Sequence, residues 1–344
     1  MSEAAIRASF RDQARHCEAM GSALTGRVLR LLADRMARGA VAERVLGWTG
    51  DPSPRADALA LRLAGGLHGL VLAGADPALA AAYAEPDASD ARLGAALEAA
   101  LAAHPGPLLR WLDSAPQTNE VRRSAVLIAA GHWLAARVGL PMVLSELGAS
   151  AGLNLIWDHH ALRAGGAWLG PQRAPVVLTP DWRGGPPPLC PPQVVAREGV
   201  DLNPLDPGRD RLRILSYVWA DQADRLARTR AACDLAAGLP HRVARGDAVD
   251  WLEARLARRL DGRLHLVQHS IAWQYFPAAA QARGLALLAE AGARATADAP
   301  LAHLAMEADA TPGSAAVTLS LWPGGERIAL ARAGFHGQFV DWLA

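Results

Sequence analysis

An α/β fold, with a mainly parallel sheet behind a helical N-terminal domain, is what this sequence predicts, and three observations carry it. The first third spaces its apolar residues with helical periodicity. A short apolar segment at 142–147 then runs into the turn Gly148-Ala149-Ser150-Ala151-Gly152, the opening of a doubly wound unit. Beyond residue 193, strand-like and helix-like segments alternate to the end of the chain.

Composition supports a folded protein of about two domains. The chain has 344 residues, 51% of them apolar and 20% charged, which excludes a disordered polymer. The 35 basic and 34 acidic residues nearly cancel, so no basic surplus points to nucleic acid. Lysine is absent, and the basic residues counted are all arginine. Cys17, Cys190 and Cys233 are scattered, without a C-x-x-C pair. That excludes a zinc ribbon, a redox motif and a disulfide framework, and it fits a reducing compartment. The N-terminus has no apolar signal core, and the apolar run at 124–136 is too short to span a bilayer. A cytoplasmic protein with no membrane segment is expected, with a small-molecule substrate as partner and the oligomeric state left open.

Within 1–115, Leu24, Val28, Leu31 and Leu32 follow helical spacing from Ser22. Leu59, Leu63, Leu67 and Leu70 do the same, as do Leu93, Leu97 and Leu101 after a Ser89 or Asp90 cap. Pro105, Gly106, Pro107 and Pro116 punctuate the end of this helical domain. The second domain, 116–344, opens with a helix over 121–137, capped by Thr118 or Asn119 with Glu120 in its first turn. Gly139, Leu140 and Pro141 break it ahead of the strand at 142–147, the glycine turn and a new helix. Residues 163–192 are rich in Gly and Pro, with short β-like pieces at 167–169 and 175–179. They are expected to be an inserted hairpin and loop, because Gly184-Gly185-Pro186-Pro187-Pro188 cannot be helix interior. Strands follow at 193–201, 242–245 and 263–269, and then at 301–307, 316–322 and 327–332. Helices are expected over 211–237, broken near Trp219-Ala220-Asp221, and over 249–260 and 277–291.

The glycine turn is where chemistry is expected. Glycine lets a ligand approach the backbone, and a helix after the turn would aim N–H groups at it. A nicotinamide site wants G-x-G-x-x-G, but the third position here is Leu153. A P-loop needs a lysine. Glu146, at the strand end, would repel a pyrophosphate and favour a cationic amino or sulfonium group. Ser145 and Ser150 are not read as hydrolase nucleophiles. Asp158-His159-His160 is not read as a metal site, because adjacent histidines on a helix point about 100° apart. No metal is expected.

Glu146-x-Gly148-x-x-x-Gly152, then Val200-Asp201-Leu202-Asn203-Pro204, then Gly246-Asp247-Ala248, resembles the motif series of class I SAM-dependent methyltransferases. The wider pattern resembles a bacterial family of unknown function with that Rossmann-like fold. It adds Thr118-Asn119-Glu120-Val121, Ser216-Tyr217-Val218-Trp219-Ala220-Asp221-Gln222 and His269-Ser270-Ile271-Ala272-Trp273-Gln274-Tyr275. The resemblance implies S-adenosyl-L-methionine as cofactor, held by Glu146, Gly148, Ser150, Gly152, Asp201 and Asp247. Asp201 would take the ribose hydroxyls and Asp247 the adenine side. Glu146 and Asp201 are 55 positions apart, where such units use about 20. The insertion at 163–192 is expected to account for the difference. Ser150 stands where the commoner motif has glycine.

His269 ends a strand at the face where such sheets bind ligands, which makes it the candidate general base. Asn119, Glu120, Trp219, Asp221, Trp273 and Tyr275 are the candidate substrate-binding residues, for a small or medium-sized acceptor held between the two domains. The expected function is methyl transfer. The alternatives are a methyltransferase-like module that binds a ligand without catalysis, and a pocket for another nucleoside.

Overall fold

A computed structural model describes residues 2–85 and 87–344 of the chain. It divides into two compact units, 1–118 with 209–230, and 119–208 with 231–344. Residues 209–230, assigned from the sequence to the second domain, thus pack with the helical one.

The helical unit contains α1 (Glu3–Ala19), α2 (Ala23–Arg35), α3 (Ala40–Leu46), α4 (Leu59–Leu72), α5 (Pro77–Ala84), α6 (Asp90–Ala103) and α7 (Pro105–Leu112). Their apolar stripes meet in one core that includes Phe10, Leu29, Leu63, Leu67, Leu93, Leu97 and Leu108. Ser89 caps α6 through the Arg92 N–H, as its position predicts. No single helix among the described residues is long and apolar enough to cross a membrane.

The second unit is an α/β structure around a nine-stranded, mostly parallel sheet. In chain order it has α8 (Ser124–Val138), β1 (Met142–Leu147), β2 (Ala161–Ala164), β3 (Ala167–Leu169), β4 (Val177–Leu178), β5 (Asp181–Arg183) and β6 (Val194–Asp201). After α9 (Arg211–Ser216), in the helical unit, and α10 (Ala223–Ala237) come β7 (Arg242–Arg245), α11 (Ala248–Leu256), β8 (Leu264–Ser270) and α12 (Ala278–Ala293). The last strands are β9 (Leu301–Ala308), β10 (Ala315–Trp322), β11 (Glu326–Ala333) and β12 (Phe339–Trp342).

The sheet order is β5-β12-β11-β10-β9-β8-β1-β6-β7. From β7 to β9 every neighbour is parallel, whereas β9 to β12 form an antiparallel meander. The short links between those last strands dictate this, since antiparallel neighbours need only a turn. All six residues of β1 are buried, as befits a central parallel strand. On one face Leu147, Val200 and Val267 pack with Leu252 of α11 and Leu288 of α12.

Three expectations are corrected. No α-helix follows the glycine turn; turns lead to a 3-10 segment at Trp157–His159. Ser150 and Gly152 hold positive φ, outside the right-handed helical region, and the N–H groups of Ser150 and Ala151 are held by Asp201 and Asn119, so the backbone cannot start a helix here. The helix expected at 121–137 begins instead with a 3-10 turn, Val121–Arg123, and its cap is Glu120, which accepts from the Arg122 N–H at 3.0 Å. Thr118 and Asn119 are not the cap. The insertion is also only partly separate. β2, β3 and β4 form their own small sheet, but β5 pairs with β12 at the edge of the main one. The Trp182 and Trp342 rings stack there, with centroids 5.8 Å apart.

Candidate functional site

Parallel pairing sets Leu147 opposite Val200, so the turn after β1 emerges beside Asp201 despite the long intervening sequence. The N–H groups of Gly148 and Ala149 both donate to the Val200 carbonyl, at 2.9 and 3.0 Å. The Ser150 N–H donates to Asp201 Oδ2 at 2.9 Å, and the Asn203 N–H donates to Oδ1 at 2.8 Å. Gly148 holds φ +69° and Gly152 φ +70°, the left-handed region. A Cβ on Gly148 would stand 2.7 Å from Ala272 Cβ, so only glycine lets these two turns touch.

Ser150 does have the Gly-x-Ser-x-Gly spacing and, with φ +51°, the positive φ of a strained turn. Its hydroxyl, however, accepts from Asn119 Nδ2 at 3.1 Å, and no helix follows it. Asn119 Oδ1 in turn accepts from the Ala151 N–H at 3.1 Å. Asn154 Nδ2 donates to the Glu120 carbonyl at 3.2 Å, and Asn154 Oδ1 accepts from the Ser124 hydroxyl at 2.7 Å. Two asparagines therefore strap the segment before α8 to the turn. Asn119 and Glu120 meet the glycine turn as buried struts.

Glu146 is 4% exposed. Burial, with Asp201 as a second charge, pushes its carboxyl up to about 8, and Arg123 and the Gln268 amide offset this only in part. Its Oε2 has no hydrogen-bond partner among the described residues. Glu146 pairs in register with Gln268 and with Gly199, so Glu146, Gln268 and Asp201 share one sheet face. Gln268 Oε1 accepts from Trp157 Nε1 at 3.0 Å. Arg123 donates to the carbonyls of Phe335 (2.9 Å) and Ser270 (3.2 Å), fixing the end of β8.

The same alternation puts His269 on the opposite face, with Leu147 and Val267. It is 2% exposed. Its Nδ1 donates to Glu307 Oε1 at 2.7 Å, and its Nε2 shares a proton with Nε2 of His303 at 2.9 Å. Trp273 stacks on its ring, with centroids 5.0 Å apart. Both ring nitrogens are thus engaged inside the protein. Glu307 Oε1 also accepts the N–H groups of Ala272 (3.0 Å) and Trp273 (3.1 Å). Burial alone would raise Glu307, but these hydrogen bonds and the His269 ring outweigh it and hold the carboxyl below its usual value. Burial, with His269 next, pushes His303 far down, so it is neutral.

The other candidates lie elsewhere. Asp247 is exposed and caps α11, accepting from the N–H groups of Val249 (2.8 Å) and Asp250 (3.0 Å). Tyr275 is 68% exposed. Trp219 packs on the core of the helical unit. Asp221 accepts from the Ser22 hydroxyl and from the Leu24 N–H (2.9 Å), capping α2 from a distant segment.

Arg123, Gln268, His303 and Glu307 are site residues that the sequence did not single out. Gln268, His303 and Glu307 left a usable signal, a polar residue interrupting an apolar parallel strand. Among curated proteins none matches the chain. A family model covers residues 7–342, so the chain belongs to the family described as an uncharacterized protein conserved in bacteria (DUF2332).

Proposed function

We propose that the α/β unit is a class I methyltransferase-like domain and that the protein is a SAM-dependent methyltransferase acting on a small or medium-sized molecule. The observation that carries this reading is the parallel run β7-β6-β1-β8-β9, with the glycine turn at the carboxyl end of its middle strand. Open α/β sheets bind ligands at that end. The buried, unpartnered oxygen of Glu146 fits a cationic group, and S-adenosyl-L-methionine offers both an ammonium and a sulfonium. Asp201 would hold the ribose hydroxyls and Asp247 the adenine side. When bound, the cofactor supplies a methyl group already attached to a good leaving group, so proximity suffices for transfer. Glu146 balances the ligand's charge by giving up its proton. Glu307 and Arg123 hold the turn that abuts Gly148. His269 positions Glu307 rather than meeting the acceptor.

Calorimetry with S-adenosyl-L-methionine and its demethylated product tests this on the wild type and on Asp201→Ala. Charge-assisted hydrogen bonds contribute about 1.5–3 kcal/mol each, so affinity should fall at least about tenfold in the variant. Absence of binding by either compound would sink the proposal. The second reading, a ligand-binding module without catalysis, is favoured by the engagement of both His269 nitrogens. Tight binding of the cofactor with no methylated product from any acceptor would select it.

A further inference from the structure

We propose that a cavity of about 40 Å³ at the amino end of β8 and β9, lined by His265 and three arginines, is a second ligand site, for a small aliphatic monocarboxylate. It lies at the end of the sheet away from the glycine turn and is independent of the methyltransferase reading. Leu256 at the end of α11, Ala291 of α12 and Leu301 at the start of β9 supply apolar walls. A water needs roughly 10–15 Å³ of such space, so this cavity takes a ligand of a few heavy atoms.

The order of hydrogen bonds inside the sheet decides what His265 offers. Arginine can only donate, so Ser145 Oγ accepts from Arg255 Nε at 3.3 Å. The Ser145 hydroxyl then has its own proton to place, and the acceptor within reach is His265 Nε2 at 2.8 Å. Burial, and next Arg255, push the His265 ring down to about 4, so near neutral pH it is uncharged. With Nε2 accepting, the one ring proton sits on Nδ1. That N–H bonds no described residue. Unlike Nδ1 of His132 or His160, it is not sealed from solvent, and on a side chain 5% exposed the open surface belongs to the cavity that His265 lines. The cavity thus receives a donor that only a ligand or a water satisfies.

Charge selects an anion. Arg259 pairs with Asp261 at 2.8 Å and Arg294 with Glu290 at 2.7 Å, and Arg294 also donates to the Leu256 carbonyl at 3.3 Å, covering the negative end of α11. Arg258, exposed at the same cavity, has no carboxylate partner among the described residues. One positive charge and a bare N–H match a carboxylate, and the leucine and alanine walls match a short hydrocarbon tail.

The probe is propionate, with propionamide as its uncharged isostere. Each is titrated into the full chain carrying isotope-labelled histidine, in chloride-free buffer near neutral pH, and read by NMR. His265 should appear as an Nδ1–H ring. Propionate should shift its ring signals saturably, leave those of His269 and His303 in place, and bind at least about tenfold tighter than propionamide, since charge-assisted hydrogen bonds are about twice as strong as neutral ones. His265→Phe should abolish propionate binding, read from the ligand's own signals. Arg258→Gln, at an exposed position, should keep the fold and weaken propionate several-fold without changing propionamide, and it serves if the phenylalanine variant does not fold. An Nε2–H ring at His265, no saturable shift, equal binding of the two probes, the same shifts from chloride, or undiminished propionate binding by either variant would each overturn the proposal.

Discussion

Burial turns Glu146 into a carboxyl that resists ionisation while the protein is folded. Its value rises from the usual 4.5 to about 8, so between those pH values the unfolded chain has lost a proton that the native state keeps. The contribution to stability is therefore complete below about pH 4.5 and is lost as pH rises through about 8, with a slope near 1.4 kcal/mol per pH unit. Glu146→Gln should flatten that decline, which denaturant unfolding at a series of pH values would reveal; an unchanged slope would mean the side chain ionises freely. Glu307 behaves in the opposite sense. Its lowered carboxyl stabilises the fold above the usual carboxylate value, and this is lost as pH falls through its native one. Glu307→Gln removes the charge that gathers His269 and two backbone N–H groups, so it should cost about 3 kcal/mol. His269→Gln should cost about 1–3 kcal/mol for the same reason. If either variant unfolds at the wild-type denaturant midpoint, the Glu307–His269–His303 chain is not a structural unit.

Among the elements, α11 separates two roles for one residue. Asp247 is the cap, and Asp247→Ala should lower stability by about 1 kcal/mol. Asp247→Asn keeps a capping oxygen and should restore the melting temperature. If the asparagine variant still binds S-adenosyl-L-methionine less well than the wild type, the charge serves the adenine side as well as the helix. The glycine turn has a different logic. Its N–H groups are committed to Val200, Asp201 and Asn119, so its shape is set by neighbouring strands and struts rather than by a helix that it begins.

Each compact unit of the molecule has a separate apolar core, one around the α4 leucines and one under α11 and α12. A ligand at the glycine turn adds binding energy to the α/β unit. At a concentration one hundred times its dissociation constant, S-adenosyl-L-methionine should contribute about 2.7 kcal/mol. That corresponds to a rise of roughly 5–10 °C in the melting of that unit, readable by calorimetric scanning. No rise at saturating cofactor would remove the glycine turn as its site.

Local order was legible in the sequence. The strands at 142–147 and 242–245 begin and end where their apolar runs and breakers place them, and the break near Trp219 separates α9 from α10. The periodicity of a strand or helix is carried by its own residues, so no partner is needed to read it. Partnership was not legible. That Asp221 caps α2, that Asp181–Arg183 closes the sheet edge, and that Glu307 gathers His269 all depend on contacts between distant segments. The glycine turn shows the division most clearly. Sequence placed it beside an acid at the end of a strand, because glycines and a carboxylate there are a local pattern. Whether a helix followed was decided by tertiary contacts: the N–H groups of Ser150 and Ala151 donate to the distant Asp201 and Asn119, and positive φ at Ser150 and Gly152 takes the backbone out of the right-handed helical region.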